Sequence, residues 1–307
     1  MFKQNISLSL HSNYKIGGKA KYFFEPKNEE ELVTAISHIR KLKTDLFVLG
    51  GGTNVLFSDA DFPGAVVKIQ NSKFQILDSN LMIGAGVSMA ELLNVVAEKG
   101  LSGLEWAGGL PGTLGGAVRG NAGAFGGEIK DAIEYVKSFN AKTGKFMTRV
   151  NKECRFCYRD SIFKNAAKDE IIWEIGLRLK PGNKKEIQSA IEDKIKYRLE
   201  RHPMDYPNVG SIFKNVDVEI VPKTLREKFK AKIKIDPIPV LPTAILLAEA
   251  GLKGVSRGGA MISPKHPNFI VNTLNASSKD VKILIYLVKY TIKEKFGIKL
   301  EEEIMIV

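Results

Sequence analysis

A chain of 307 residues with 44% hydrophobic and 26% charged residues has the make-up of a folded enzyme of two or three domains, which excludes a disordered protein. The net charge of +12 raises the question of nucleic acid, but the lysines are scattered over predicted helix faces. No nucleic-acid partner is expected, and the excess reads as a solvated surface favouring anionic, phosphorylated ligands.

The amino-terminal MFKQNISLSLHSNYKIGG has no apolar core or cleavage site. The longest apolar run near the other end, Ile283–Val288, is bracketed by Lys282 and Lys289. No signal peptide and no membrane insertion are expected, so the cytoplasm is the expected location. Asn28 is placed to cap a helix whose first turn is Glu29–Glu31, with Leu32, Ile36, Ile39 and Leu42 at helical spacing. A buried strand over Leu46–Leu49 then runs into Gly50-Gly51-Gly52-Thr53-Asn54, a nest suited to a pyrophosphate. The dinucleotide fingerprint and the P-loop ending are both absent. From Ala65 the pattern is β, around the turn Asp78-Ser79-Asn80. Ser88 and Glu91 open a second helix that stops at Gly100.

Trp106–Glu128, WAGGLPGTLGGAVRGNAGAFGGE, carries nine glycines between Gly108 and Gly127, interleaved with Leu110, Leu114, Val118 and Phe125. A flexible linker would lack those apolar residues. The pattern predicts backbone brought against a large anionic cofactor, where Cβ atoms would obstruct and N–H groups donate; tight turns or packing account for single glycines. A hairpin is expected from Tyr135–Asn140 and Phe146–Val150, followed by extended segments Phe156–Phe163 and Ile171–Leu179. Cys154 and Cys157 form a C-x-x-C that can be a redox pair or half a zinc site, but with no second cysteine pair the segment reads first as an alternating strand with incidental thiols. The histidines lack ligand spacing, so no metal is expected.

Pro181-Gly182-Asn183 marks a boundary. Beyond it come an amphipathic helix over Lys184–Arg201, the loop MDYPNVGSIFKN, a short helix around Thr243–Ala250, a strand over His266–Asn272, a capped helix over Ser278–Phe296 and a final strand over Leu300–Val307. The expected domains are 1–70, 71–182 and 183–307.

LGGGTN at Leu49–Asn54, PGTLGG and NAGAFGGE within Pro111–Glu128, YRDSIF at Tyr158–Phe163, GSIFKN at Gly210–Asn215, HPNFIVN at His266–Asn272 and LEEE at Leu300–Glu303 together resemble the UDP-N-acetylenolpyruvoylglucosamine reductase family, also called UDP-N-acetylmuramate dehydrogenases. The resemblance runs from about Tyr14 to the end of the sequence, and the order and spacing of the motifs carry it. It implies an α+β flavoprotein with a two-part FAD-binding region of the vanillyl-alcohol-oxidase type and a carboxy-terminal α+β substrate-binding domain. Non-covalent FAD, NADPH as reductant, UDP-N-acetylglucosamine enolpyruvate as substrate and a monomeric enzyme of peptidoglycan synthesis follow from it.

By motif, Ser211 is the implied proton donor, Arg159 the carboxylate partner and Glu303 the stabiliser of the enolic intermediate, acting as the neutral acid. Alternation along a strand sends Glu302 to the other face. The candidate FAD contacts are Gly50, Gly51, Gly52, Thr53, Asn54, Gly112, Thr113, Gly115, Gly116, Asn121, Ala122, Gly123 and Gly126. Tyr158, Arg198, Asn215 and Asn268 are the candidate substrate contacts, Arg198 for the diphosphate. Cys157 stands where the family has glycine and Val216 where proline is common. No loop is inserted before Pro181, which resembles the shorter subtype without a tyrosine loop. The alternative is an FAD-dependent sugar or lactone oxidase of the same fold, which would not need Ser211 and Glu303; many such oxidases attach flavin through a histidine or cysteine, and the flavin-binding stretches contain no histidine.

Overall fold

Asn28 starts helix α1 (Glu29–Leu42) as its sequence predicts, the side-chain oxygen accepting from the Glu31 amide at 2.9 Å. Its apolar stripe of Leu32, Ala35, Ile36 and Ile39 is buried. The computed structural model describes residues 2–307, and the chain divides into two units. Unit 1 comprises residues 2–6, Ala20–Gly51 and Phe62–Lys196; unit 2 comprises Ser7–Lys19, Gly52–Asp61 and Tyr197–Val307.

Unit 1 holds two larger sheets and two two-stranded ones. The first orders its strands Lys3–Ser7, Lys19–Phe24, Phe62–Lys68 and Leu46–Leu49, the last three running parallel. The second is antiparallel, ordered Lys145–Val150, Ile133–Asn140, Glu170–Arg178, Asn80–Gly84 and Phe74–Leu77. Its middle strand, EIIWEIGLR, is buried except at Arg178. The two glutamates in that run need partners: Glu170 accepts from Ser138 Oγ at 2.7 Å and from Arg149 Nη2 at 2.6 Å, while Tyr135 Oη lies 3.5 Å from Glu174. Helix α2 (Met89–Lys99) is capped by Ser88 and closed by Gly100 at φ 68°. Helix α3 (Leu114–Arg119) lies inside the glycine-rich segment, and α4 (Lys184–Arg201) follows the sheet.

Unit 2 contains α5 (Lys223–Lys228), α6 (Thr243–Glu249) and α7 (Ser278–Phe296), with two small antiparallel sheets. Ser277 and Asp280 form a reciprocal capping box on α7, whose Val281, Leu284, Ile285, Val288 and Ile292 enter the core. Val55–Leu56 and Met305–Ile306 pair in parallel.

The sequence puts Ser7–Lys19 and Gly52–Asp61 in its first domain, whereas both pack within unit 2. Tyr14 is the reason for the first: it is fully buried, its hydroxyl donates to the Ile270 carbonyl at 2.6 Å, and Asn272 donates to the Tyr14 carbonyl at 3.0 Å. Burial pushes the Tyr14 phenol far above its ordinary range. The remaining described residues of the two expected FAD subdomains fall together in unit 1.

Three extended stretches are shorter than expected. The cysteine segment is a 3-10 turn over Asn151–Cys154, because Arg155 (φ 46°) and Arg159 (φ 56°) adopt left-handed backbone that a strand does not contain. Of HPNFIVN only Ile270–Asn272 is strand, since the Phe269 amide turns back to the His266 carbonyl. Of Leu300–Val307, Met305–Ile306 is strand and Glu302 makes a single bridge to Phe213. Both thiols are free; Cys157 is exposed, and burial pushes Cys154 up to about 11, an unreactive thiol at neutral pH. Among the described residues no helix is long and apolar enough to cross a membrane.

Tyr14→Phe should lower unfolding stability by about 1–2 kcal/mol, because it leaves the buried Ile270 carbonyl without its donor. Urea unfolding at neutral pH measures this, and an unchanged midpoint would contradict the anchoring role.

Candidate active site

In unit 1 the strand Leu46–Leu49 delivers Gly50 and Gly51 directly onto the second glycine segment. A Cβ on Gly50 would lie 2.7 Å from Thr113 Oγ1, and one on Gly51 2.7 Å from Gly112 Cα, so two stretches of bare backbone touch. Thr113 Oγ1 also accepts from Gly116 N at 3.4 Å, capping α3. The Gly112–Gly115 backbone is stitched to the turn before α2 through Met89 N to Gly112 O, Leu114 N to Val87 O and Gly115 N to Ala85 O.

Six of the nine glycines fall into two groups. Gly108 packs on the Ile191 carbonyl, Gly115 on Ala85 and Gly127 on the Trp106 ring, where a Cβ would come within 2.4, 2.8 and 2.4 Å respectively. These three serve packing. A Cβ on Gly116 or Gly120 would meet only ordinary contacts, at 3.5 Å from Thr113 Oγ1 and 3.7 Å from the Gly116 carbonyl, and one on Gly126 would meet nothing within 4 Å. Beside them the Trp106 indole Nε1 is buried with no hydrogen-bond partner. An open backbone cradle with an unspent buried N–H fits a large ligand rich in acceptors, as FAD is. Gly50, Gly51, Gly112, Thr113, Gly116 and Gly126 are the residues of this unit that would hold it.

Asn121 belongs to a different layer. It is fully buried in left-handed backbone (φ 42°), and Nδ2 donates both to Glu128 Oε1 at 2.8 Å and to the Cys157 carbonyl at 2.9 Å, while Oδ1 receives Lys130 N at 3.3 Å. Ala122 likewise commits its amide to Ala117 O and its carbonyl to Ile129 N. The side-chain amide of Asn121 and both backbone groups of Ala122 are thus bonded within the protein.

The Cys157 carbonyl opens the turn that carries Tyr158 and Arg159. Cys157 and Asp160 exchange both backbone hydrogen bonds at 3.1 Å, leaving Arg159 at the second central position. A left-handed arginine costs about 1 kcal/mol, so the surrounding structure imposes it. The Arg159 guanidinium lies 5.1 Å from the Tyr158 ring centroid, and Nη1 would be 3.2 Å from a Cβ on Gly123. Burial lowers the Arg119 guanidinium pKa, against the opposing pull of Asp160.

In unit 2 Asn208 organises the approach to Ser211, donating to the Pro203 and Tyr206 carbonyls and accepting from Gly210 N at 3.0 Å. Gly210 has φ 82° with nothing within 4 Å of a would-be Cβ. Ser211 follows, half-buried, its hydroxyl making no hydrogen bond among the described residues. Ile212 O accepts from Glu303 N at 2.8 Å, and Glu303 O accepts from Asn54 Nδ2 at 3.1 Å. Ser211 and Glu303 are thus brought onto neighbouring backbone. Glu302 pairs with Lys289 at 2.8 Å and Glu301 with Lys214 at 3.2 Å.

Asn268, expected at the substrate, is buried and spends its amide on Phe213, accepting from N at 3.1 Å and donating to O at 2.8 Å. It shapes the GSIFKN segment. Asn215 Oδ1 accepts from Thr243 N at 3.2 Å, at the start of α6. Gly52 packs on the His11 carbonyl, and Asn13 N donates to Gly52 O. Thr53 is half-buried beside it. Arg198 is half-buried with Nη2 enclosed, near His202. His202 and His266 stack edge to face, centroids 5.1 Å apart, and the buried His266 Nδ1 has no hydrogen-bond partner. Burial, with Arg198 and Lys265 around His202 and Lys234 near His266, holds both histidines down at about 4. Asn208, Asn121 as a structural clamp and the histidine pair escaped sequence reasoning; the Asn-x-Gly of PNVG was the one legible hint.

A model described as FAD binding domain matches residues 20–148, and one described as UDP-N-acetylenolpyruvoylglucosamine reductase, C-terminal domain, matches residues 202–307. The protein is therefore an FAD-dependent oxidoreductase. The chain is 37% identical over 304 residues to the UDP-N-acetylenolpyruvoylglucosamine reductase of Caldanaerobacter subterraneus, covering 99% of this chain and 92% of the relative, and 37% identical over 308 residues to that of Anoxybacillus flavithermus, covering 99% and 94%. The crystal structure of the corresponding reductase from Thermus caldophilus superposes with a TM-score of 0.77 at 31% identity, covering 100% of this chain and 98% of that one. The chain belongs to the UDP-N-acetylenolpyruvoylglucosamine reductase family.

Because both histidines are neutral in the fold, stability is highest above the unfolded value of 6.5. It should fall as the unfolded chain takes up protons first, between pH 6.5 and about 4. A His202→Gln/His266→Gln variant should lose less stability between pH 7 and 5, read from urea midpoints; an identical slope would contradict the assignment.

Proposed function

We infer that this protein is the NADPH-dependent flavoenzyme that reduces UDP-N-acetylglucosamine enolpyruvate to UDP-N-acetylmuramate in peptidoglycan synthesis. Full-length similarity to the reductases, joined to the open glycine cradle in unit 1, carries this reading. FAD, when bound, supplies hydride taken from NADPH to the enolpyruvyl carbon. Reduction of that double bond leaves negative charge beside the carboxylate and calls for one proton.

Ser211 is assigned as the proton donor. A serine hydroxyl is a weak acid, so the role is workable only toward a strongly basic carbon. The observation favouring it is that Gly210 and Asn208 present a hydroxyl not committed within the protein. Glu303, backbone-paired to Ile212, is assigned to stabilise the developing charge. Arg159 is assigned to the carboxylate, since its planar fork suits two oxygens and lysine would not reproduce it. Arg198 is assigned to the diphosphate, with Tyr158 and Asn215 as further substrate contacts. The enzyme is proposed to act in the cytoplasm as a monomer.

Ser211→Ala should leave bleaching of the flavin by NADPH near the wild-type rate and slow reoxidation by the enolpyruvyl substrate by about a hundredfold to ten-thousandfold. Anaerobic stopped-flow absorbance separates the two steps; equal loss in both would overturn the role of Ser211.

A further inference from the structure

Arg159 is held as part of the glycine-rich segment. The turn that carries it is pinned at three points: Asn121 Nδ2 donates to Cys157 O, Lys164 Nζ donates to Arg159 O at 2.5 Å, and Ser161 Oγ donates to Arg119 O, at the end of α3, at 2.7 Å. Asp160 adds local bracing, accepting from Ser161 N and from Asn165 Nδ2 at 2.8 Å each. The whole turn is thereby tied to α3 and to the hairpin formed by Gly123–Ala124 and Gly127–Glu128.

We propose that Asn121 is a positioning residue that fixes the Arg159 turn against the cofactor-binding hairpin, and that it is not a ligand of the cofactor. Both of its amide hydrogens are spent, on Glu128 and on Cys157 O, and the side chain is fully buried. Glu128, itself buried, needs that donor beside its pair with Lys130 at 2.5 Å. Gly123 completes the device: the absence of a side chain leaves room for Arg159 Nη1. Loss of the Asn121 donor leaves the Cys157 carbonyl with only the Asp160 amide as partner, which unties the turn from the glycine segment and lets the left-handed Arg159 relax toward a conformation arginine prefers, moving its guanidinium away from its working position. A shift of about 1 Å in such a group costs about a hundredfold in rate.

The inference rests on the role proposed for Arg159, so Arg159→Ala is measured beside it. For Asn121→Ala we expect the FAD Kd, followed by protein fluorescence, and the rate of flavin bleaching by NADPH to stay within about threefold of wild type. Reoxidation by UDP-N-acetylglucosamine enolpyruvate should slow about tenfold to a hundredfold. Lys164→Met removes the second anchor from a half-buried side chain, and should slow reoxidation in the same selective way even if Asn121→Ala does not fold. A parallel rise in FAD Kd and fall in bleaching for Asn121→Ala would make Asn121 a cofactor ligand and overturn the proposal. Impaired reoxidation in Arg159→Ala with none in either positioning variant overturns the positioning alone; a silent Arg159→Ala removes the role of Arg159 and the positioning with it.

Discussion

Two stretches of backbone touching without side chains set the geometry of unit 1. Gly51 abuts Gly112, Gly50 abuts Thr113 Oγ1, and the same Thr113 oxygen caps the helix that begins with Leu114. Any Cβ at Gly50 or Gly51 pushes the parallel sheet's strand end away from α3. Further along the same segment Gly108, Gly115 and Gly127 pack as closely, while Gly126 stays open.

Within each unit, buried asparagine amides hold the irregular segments that carry the candidate catalytic residues. Asn121 links the glycine segment to the Arg159 turn, Asn208 fixes the bend before Ser211, and Asn268 clamps Phe213 two residues after it. Each is an asparagine whose amide substitutes for backbone that regular secondary structure would have supplied. Irregular loops can present reactive groups with fixed geometry only if their buried carbonyls and amides find such partners. The cost of two left-handed non-glycine residues, Asn121 and Arg159, is offset by these bonds.

Local signals were the legible part of the sequence. Asn28, Ser88 and Ser277 cap helices where their side chains predict, and Gly100 and Gly251 end them, because capping is decided within four residues. The family motifs pointed to the FAD-binding fold and the enzyme class. What the sequence did not disclose depends on distant contacts. Tyr14 meets Ile270, 256 positions away, and so takes Ser7–Lys19 into unit 2. Alternation over the cysteine segment suggested a strand until two arginines adopted backbone that arginine seldom takes. Residue type alone also does not disclose that the side-chain amides of Asn121 and Asn268 are bonded within the protein.

The central claim is that one chain accepts reducing equivalents from NADPH and returns them to the enolpyruvyl group of a UDP-sugar. The direct measurement is anaerobic: bleach the FAD-loaded protein with one equivalent of NADPH, add UDP-N-acetylglucosamine enolpyruvate, and follow the flavin absorbance while assaying UDP-N-acetylmuramate. The account predicts prompt return of the oxidised spectrum without oxygen and one product formed per flavin. A spectrum that stays bleached until oxygen is admitted, with no product, would contradict it.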